Sequence, residues 1–181
     1  MNKLSIRRFP PLEYAASEAV NTLCTNLSFS GENVKRIMFT SCHAAEGKSF
    51  MAMNVMRSMA RLGKRVVLVE ADLRRGMIAS RYGIRFETEK RGLAHYLAGM
   101  ATENEIVYAT NTNGAYMVPV GRTVSNSLQL LVSPHFKELL NSLARKMDYV
   151  IVDAPPLGLL IDAAEIAKSC DGALIVVGYD S

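Results

Sequence analysis

Short apolar runs alternate with longer amphipathic stretches along this chain. Residues 35–40 read as a first strand with Ile37-Met38-Phe39 at its centre. Residues 65–72 and 149–153 are near-continuous apolar runs that end in carboxylates, Glu70-Ala71-Asp72 and Asp153. Such runs suit parallel strands covered on both faces. Residues 115–120 and 173–177 complete the strand pattern. Helices are predicted at 12–29, at 48–62 with Gly63 as the stop, at 92–99, at 134–146 with Pro134 at the start, and at 160–168. Pro10-Pro11 ends an N-terminal arm, and Ser30-Gly31-Glu32-Asn33 reads as a loop. Alternation of strands and helices predicts an α/β fold of three layers around a mostly parallel sheet. The expected division is an arm and helix, residues 1–30, packed on a core of residues 31–181.

Composition changes this picture little. The 181 residues suffice for one domain with a sizeable core. A hydrophobic share of 49% and a charged share of 21% are ordinary for a globular protein. The net charge of +4 suits anionic ligands but is too small to argue for nucleic acid. Cys24, Cys42 and Cys170 are far apart, without C-x-x-C or metal spacing, so reduced thiols are expected. No apolar run approaches the ~20 residues of a membrane helix. Residues 1–9 carry charge with no apolar segment behind it, unlike a signal peptide. The expected location is cytoplasmic, with docking at the inner face of the cell membrane compatible with it.

Candidate chemistry concentrates at Ser41-Cys42-His43-Ala44-Ala45-Glu46-Gly47-Lys48-Ser49, between the first strand and the helix at 48–62. Helix-initial N–H groups and the positive end of the helix dipole favour an anion. Lys48 adds a point charge, and the Ser49 hydroxyl can reach a magnesium ion. The loop is glycine-poor, with Cys42 where G-x-x-x-x-G-K-S has its first glycine. Taken alone it leaves three readings open: a working phosphate loop, a relic or a coincidence. The two acidic strand ends narrow the choice, because ligands of open parallel sheets bind beyond the carboxyl ends of the strands. Magnesium wants oxygen ligands, and a strand-end carboxylate can orient or deprotonate a hydroxyl. Each acid alone also suits a helix cap or turn. Met51, Met53, Met56 and Met59 read as core packing, His43 as a solvated turn residue and Cys42 as a small buried packing residue.

The strand-loop-helix at 40–49, the strand at 66–72 followed by Leu73-Arg74-Arg75, and Val150-Ile151-Val152-Asp153-Ala154-Pro155-Pro156 occur in that order. Together they resemble the bacterial tyrosine kinases of capsular and exopolysaccharide synthesis. These belong to the phosphate-loop NTPase fold that also includes the MinD and ParA ATPases. Gly92-Leu93 with Leu97-Ala98-Gly99, Val118-Pro119 with Gly121, and Asp162-Ala163 are lesser landmarks, and the resemblance spans about residues 18–177. It implies ATP and Mg2+ as cofactors and transfer of the γ-phosphoryl group to tyrosine. By position it implies nucleotide contacts from Ala44, Ala45, Glu46, Gly47, Lys48, Ser49 and Phe50. Ser49 would bind the metal directly, and Asp72 and Asp153 directly or through water. Lys48, Glu70, Asp72 and Asp153 form the implied catalytic set, with Glu70 in the place of the candidate base. The implied partner is the cytoplasmic tail of a membrane adaptor of polysaccharide export, and no nucleic acid is expected.

The departures from the family pattern fall on functional positions. Ala45 replaces a glycine, which carries a penalty on the order of 1 kcal/mol if a positive φ is kept there. Glu70 replaces an aspartate, and catalysis is sensitive to misplacement of ~1 Å. The family's Glu-x-x-Arg-x-x-Arg, used in ring assembly, reads Glu18-x-x-Asn21-x-x-Cys24, so any homo-oligomer is expected to be weakened. Gly76 stands where a proline is usual. Family members continue past the last strand to a tyrosine-rich tail, whereas here Ser181 follows that strand and the tyrosines are scattered. A core shortened at its C-terminus is therefore the expectation. Two functions compete: an ATP-dependent protein-tyrosine kinase, and a catalytically impaired nucleotide-binding or scaffolding relative. A MinD- or ParA-type ATPase fits less well, because His43 takes the place of the loop lysine and no basic or amphipathic C-terminal helix is evident.

Overall fold

The computed structural model describes residues 1–158 and 161–178. The first half runs β1 (Asn2–Ser5), α1 (Tyr14–Ser28), β2 (Arg36–Ser41), α2 (Lys48–Arg61), β3 (Val66–Glu70), α3 (Ile78–Arg81) and β4 (Arg85–Phe86). Short elements follow: α4 (Leu93–Leu97), α5 (Glu103–Ile106), β5 (Tyr108–Ala109), β6 (Ala115–Val118) and α6 (Ser127–Leu131). The chain then forms α7 (Pro134–Lys146), β7 (Tyr149–Asp153), α8 (Asp162–Ala167) and β8 (Gly172–Val176). The predicted start of the helix at Leu160, and the chain end at Ser181, lie outside the described residues.

The strands form one sheet in the order β4-β1-β5-β6-β3-β7-β2-β8. From β6 to β8 every pairing is parallel, and antiparallel pairs occur only at β1–β4 and β5–β6. The predicted arm is a strand: Asn2–Ser5 pairs in parallel with β5 and antiparallel with β4. Leu4 and Ile6 alternate inward there, a two-residue signal too brief to separate from a tail by sequence.

The continuous apolar runs of the central strands serve two layers. Ile37, Phe39, Val66, Leu68 and Ile151 face α1 and α2, joining Val20, Cys24, Leu27, Met53, Met56 and Met59. Met38, Val67, Val69, Val150 and Val152 face the opposite layer, with Phe136, Leu139, Leu140 and Leu143 of α7. Alternate side chains of one strand thus point to opposite faces, and each fully buried large side chain contributes about 1.5–3 kcal/mol. Three of the methionines of α2 are core residues as expected, and Met51 packs at the margin. No helix among the described residues is long and apolar enough to cross a membrane.

Register brings the chemistry to one edge. Glu70 of β3 lies level with Asp153 of β7, and Asp153 lies level with Phe39 of β2. The loop after β2 therefore opens over both acidic strand ends.

Candidate functional site

The turn from β2 into α2 is held by local bonds. Ser41 Oγ donates to the His43 carbonyl at 2.6 Å, and the His43 amide donates to Glu46 Oε2 at 2.6 Å. Glu46 Oε1 accepts from the Gly178 amide at 3.3 Å, tying the loop to the segment after β8. Gly47 caps α2 with φ 92°, and Ala45 has φ 69°, the one non-glycine positive φ among the described residues. The alanine therefore keeps the left-handed backbone that a glycine would favour. No acidic residue lies in the first turn of α2 and no side chain caps it, so its first N–H groups are left to the cleft.

The segment after β7 braces the loop from the other side. Thr40 Oγ1 donates to the Pro155 carbonyl at 2.8 Å. The Leu157 and Gly158 amides donate to the Ser41 and Cys42 carbonyls at 2.8 and 3.0 Å. A Cβ at Gly158 would stand 2.5 Å from the Cys42 oxygen, so this approach requires glycine. Cys42 is held by its backbone and its side chain is exposed. That corrects the expectation of a buried packing thiol: the loop leaves the core immediately after Ser41.

Lys48 Nζ lies 3.4 Å from Asp153 Oδ1 and 3.8 Å from Asp72 Oδ2. Ser49 Oγ donates to Asp153 Oδ2 at 2.7 Å. Both carboxylates are buried. Burial pushes the Asp153 carboxyl above its ordinary range, against the lowering effects of Lys48 and Ser49, while Asp72 raises it further. Asp72 Oδ1 accepts the Arg75 amide at 3.2 Å. Glu70 is 1% exposed, and its two oxygens accept the Ile78 amide at 2.8 Å and the Val120 amide at 3.0 Å. Burial raises its pKa from 4.5 to about 6, although both amide bonds oppose the rise.

Ala44, Ala45, Gly47, Lys48, Ser49, Glu70, Asp72 and Asp153 all line one cleft. Of the remaining sequence candidates, Glu46 is turned to its backbone bonds and Phe50 lies half-buried on α2, outside the lining. Among the described residues no group of three or more His, Cys, Asp or Glu side chains gathers as a metal cluster. Two carboxylates and a hydroxyl are a sparse set, which suits a cation that keeps waters and substrate oxygens.

A family model described as an AAA domain matches residues 34–180. The tyrosine-protein kinase CpsD of Streptococcus pneumoniae is 35% identical over 161 residues, spanning 89% of this chain and 70% of its own length. The chain belongs to the bacterial tyrosine-protein kinase family. The kinase domain of the Escherichia coli tyrosine kinase ETK superposes with a TM-score of 0.85 at 29% identity, over 91% of this chain and 64% of that one. MinD of Pyrococcus horikoshii, a complex with Mg-ADP, shares the fold with a TM-score of 0.67 at 24% identity, over 78% of this chain and 57% of its own. The phosphate-loop NTPase fold is thus the fold of this tyrosine-kinase relative.

Five lining residues of this kinase-family cleft were not among the site residues read from sequence: Met77, Ile78 and Arg81, and also Arg75 and Pro156, which entered only as landmarks of the resemblance. The Arg74-Arg75 pair was a visible signal, but Arg74 points away. Its Nε bonds Asp162 Oδ2 at 3.1 Å and its Nη1 bonds the Ser125 carbonyl at 3.1 Å, while Ser127 Oγ also donates to Asp162. Arg81 carried no signal. At the assembly positions, Asn21 accepts from Ser58 Oγ at 2.6 Å and Cys24 is fully buried against α2. Both therefore serve the α1–α2 contact.

Proposed function

We propose that this chain binds ATP with Mg2+ and transfers the γ-phosphoryl group to protein tyrosine in capsular or exopolysaccharide assembly. The observation that carries this reading is Lys48 held between the buried Asp72 and Asp153, beside a Ser49 hydroxyl already bonded to Asp153. Magnesium held there would supply positive charge to offset that of the phosphates. Ser49, Asp72 and Asp153 are the residues to hold it, directly or through water. Lys48 offsets part of the charge of the two acids in the free protein and is within reach of phosphates laid across Gly47 and the start of α2. Asp72, holding the metal through water, receives the tyrosine proton: only one of its oxygens accepts an amide, whereas both oxygens of the more deeply buried Glu70 do. Glu70 is then a positioning residue, fixing α3 and the loop after β6 to the end of β3.

The partner in this reading is the tail of a membrane adaptor, and the location is the cytoplasm. A second reading is favoured by Ala45 at positive φ and by the engaged Glu70: a relative that binds nucleotide without transfer. Calorimetry with Mg-ATP comes first, and ligand at ~100 times Kd should raise stability by roughly 2.7 kcal/mol. Lys48→Ala should abolish that gain. No heat at millimolar ATP would sink both readings. Binding without movement of γ-labelled phosphate to a tyrosine peptide would select the second.

A further inference from the structure

Five arginines run from the nucleotide cleft to the N-terminal strand. Arg75 and Arg81 line the cleft. Arg81 ends α3, and the next turn leads through Gly83 and Ile84 to Arg85, where these residues form a groove with Arg7 and Arg8. Two contacts fix the track. Ser5 of β1 is in register with Arg85 of β4, and the Arg8 amide donates to the Tyr82 carbonyl at 2.9 Å. A Cβ at Gly83 would stand 2.8 Å from Arg8 Nε, so this guanidinium lies directly on the glycine. All five arginines are exposed, and none forms an ion pair among the described residues. The carboxylate of Glu89, close by in sequence, is engaged by Arg91 at 3.3 Å.

Like charges gathered without ion-pair partners repel one another, and a multivalent anion relieves that repulsion. Guanidinium groups match carboxylates in bidentate geometry. Met77 lies between Arg75 and Arg81, lines the same cleft and is 53% exposed. A thioether there offers an aromatic ring a soft apolar contact. The track thus ends on an apolar ledge beside the strand-end acids. A flat lipid surface meets Arg7, Arg8 and Arg85 but does not follow the track into a concave cleft.

We propose that Arg7, Arg8, Arg81 and Arg85 form a docking track for an acidic polypeptide segment, which places a tyrosine flanked by carboxylates on Met77 at the mouth of the nucleotide cleft. This rests on the transferase reading for its consequence, while the binding itself does not depend on it.

Random copolymers of glutamate with tyrosine and of lysine with tyrosine separate the cases. Binding is read by fluorescence anisotropy without nucleotide, transfer by γ-labelled phosphate, and ATP binding by calorimetry. The glutamate copolymer should bind and the lysine copolymer should not. Raising salt from about 0.1 M to about 1 M, which shortens the Debye length from roughly 10 Å to 3 Å, should release it. The double variant Arg8→Glu with Arg85→Glu should weaken binding and raise KM by on the order of tenfold, because reversed rim charges act mainly on encounter and specificity. Its kcat and ATP affinity should be unchanged. The milder Arg8→Gln with Arg85→Gln gives the same direction and guards against misfolding, with Tm as control. Arginine-dependent binding of the glutamate copolymer without any transfer would uphold the track and refute the transferase reading. Equal binding of the two copolymers would overturn the track. So would variants that lose binding to vesicles of anionic lipid while keeping the copolymer.

Discussion

Glu70 is one methylene longer than the aspartate the family pattern leads one to expect, and the added length is used. Its carboxylate reaches two main-chain amides, those of Ile78 and Val120, eight and fifty residues away in sequence. Glu70→Asp should leave at least one buried amide unpaired and destabilise the fold by about 1–3 kcal/mol in urea denaturation. The folded-state pKa of Glu70 is raised from 4.5 to about 6, so the folded chain holds this proton more tightly than the unfolded one. Stability from this group is therefore highest below 4.5 and falls by about 2 kcal/mol as pH rises past 6. In metal-free protein, the stability difference between wild type and Glu70→Gln should fall across that window; a flat difference would refute the shift. Ala45 holds φ 69° against its preference. Ala45→Gly should raise stability by about 0.5–1 kcal/mol, read as Tm, by removing that strain. Lys48, Ser49, Asp72 and Asp153 were legible in the sequence because their chemistry lies in residue type and in position at a strand end. The work of Glu70 was not, because its partners are backbone groups that no side-chain pattern marks.

At the scale of elements, one side chain reinforces the start of the β2–β8 pairing. The Lys35 and Arg36 amides donate to Asp171 Oδ2 at 3.0 and 2.7 Å, and Arg36 Nη2 pairs with Oδ1 at 2.5 Å. The Arg36 side chain holds the Asp171 carboxyl below the usual carboxylate range, assisted by the two amides. Its stabilisation is present above the ordinary aspartate pKa and is lost as pH falls through the lowered value. Asp171→Ala should cost about 1 kcal/mol for each bond lost and should remove that acid-side loss, as urea midpoints across pH would show. On the other layer, Cys24 is fully buried, so Cys24→Arg would place a charge against α2 without a partner. A loss of about 3–5 kcal/mol is expected from denaturant melts. A sizing column on that variant would report unfolding before it could report a restored ring. Elements with several helical turns or a continuous apolar run were read nearly to the residue, as α7 and β7 show. The two- to five-residue elements β1, α3, β4, α5, β5 and α6 were missed. These segments carry neither a full helical period nor a continuous apolar run, and tertiary pairing makes them regular.

The whole molecule has two unlike sheet edges. At one end β4 has two residues, and Arg85 and its arginine neighbours keep another strand away. At the other end β8 has five residues and pairs only with β2 among the described residues. Ile175 on β8 and Val177 just beyond it are 55% and 67% exposed, on the same face by the two-residue period of a strand. An uncharged, apolar edge strand is a template for pairing. The positions that the family pattern marks for assembly are turned to other uses, with Asn21 bonded to Ser58 and Cys24 in the core. Self-association should therefore run through β8 and not through α1. Sedimentation velocity of the chain over a concentration series should show reversible association. Ile175→Lys with Val177→Lys should shift the population toward monomer without changing Mg-ATP affinity, because neither residue lines the nucleotide cleft. If the doubly substituted chain associated as strongly as wild type while Asn21→Ala abolished association, the contact would lie on α1 and the argument from the open edge would be wrong.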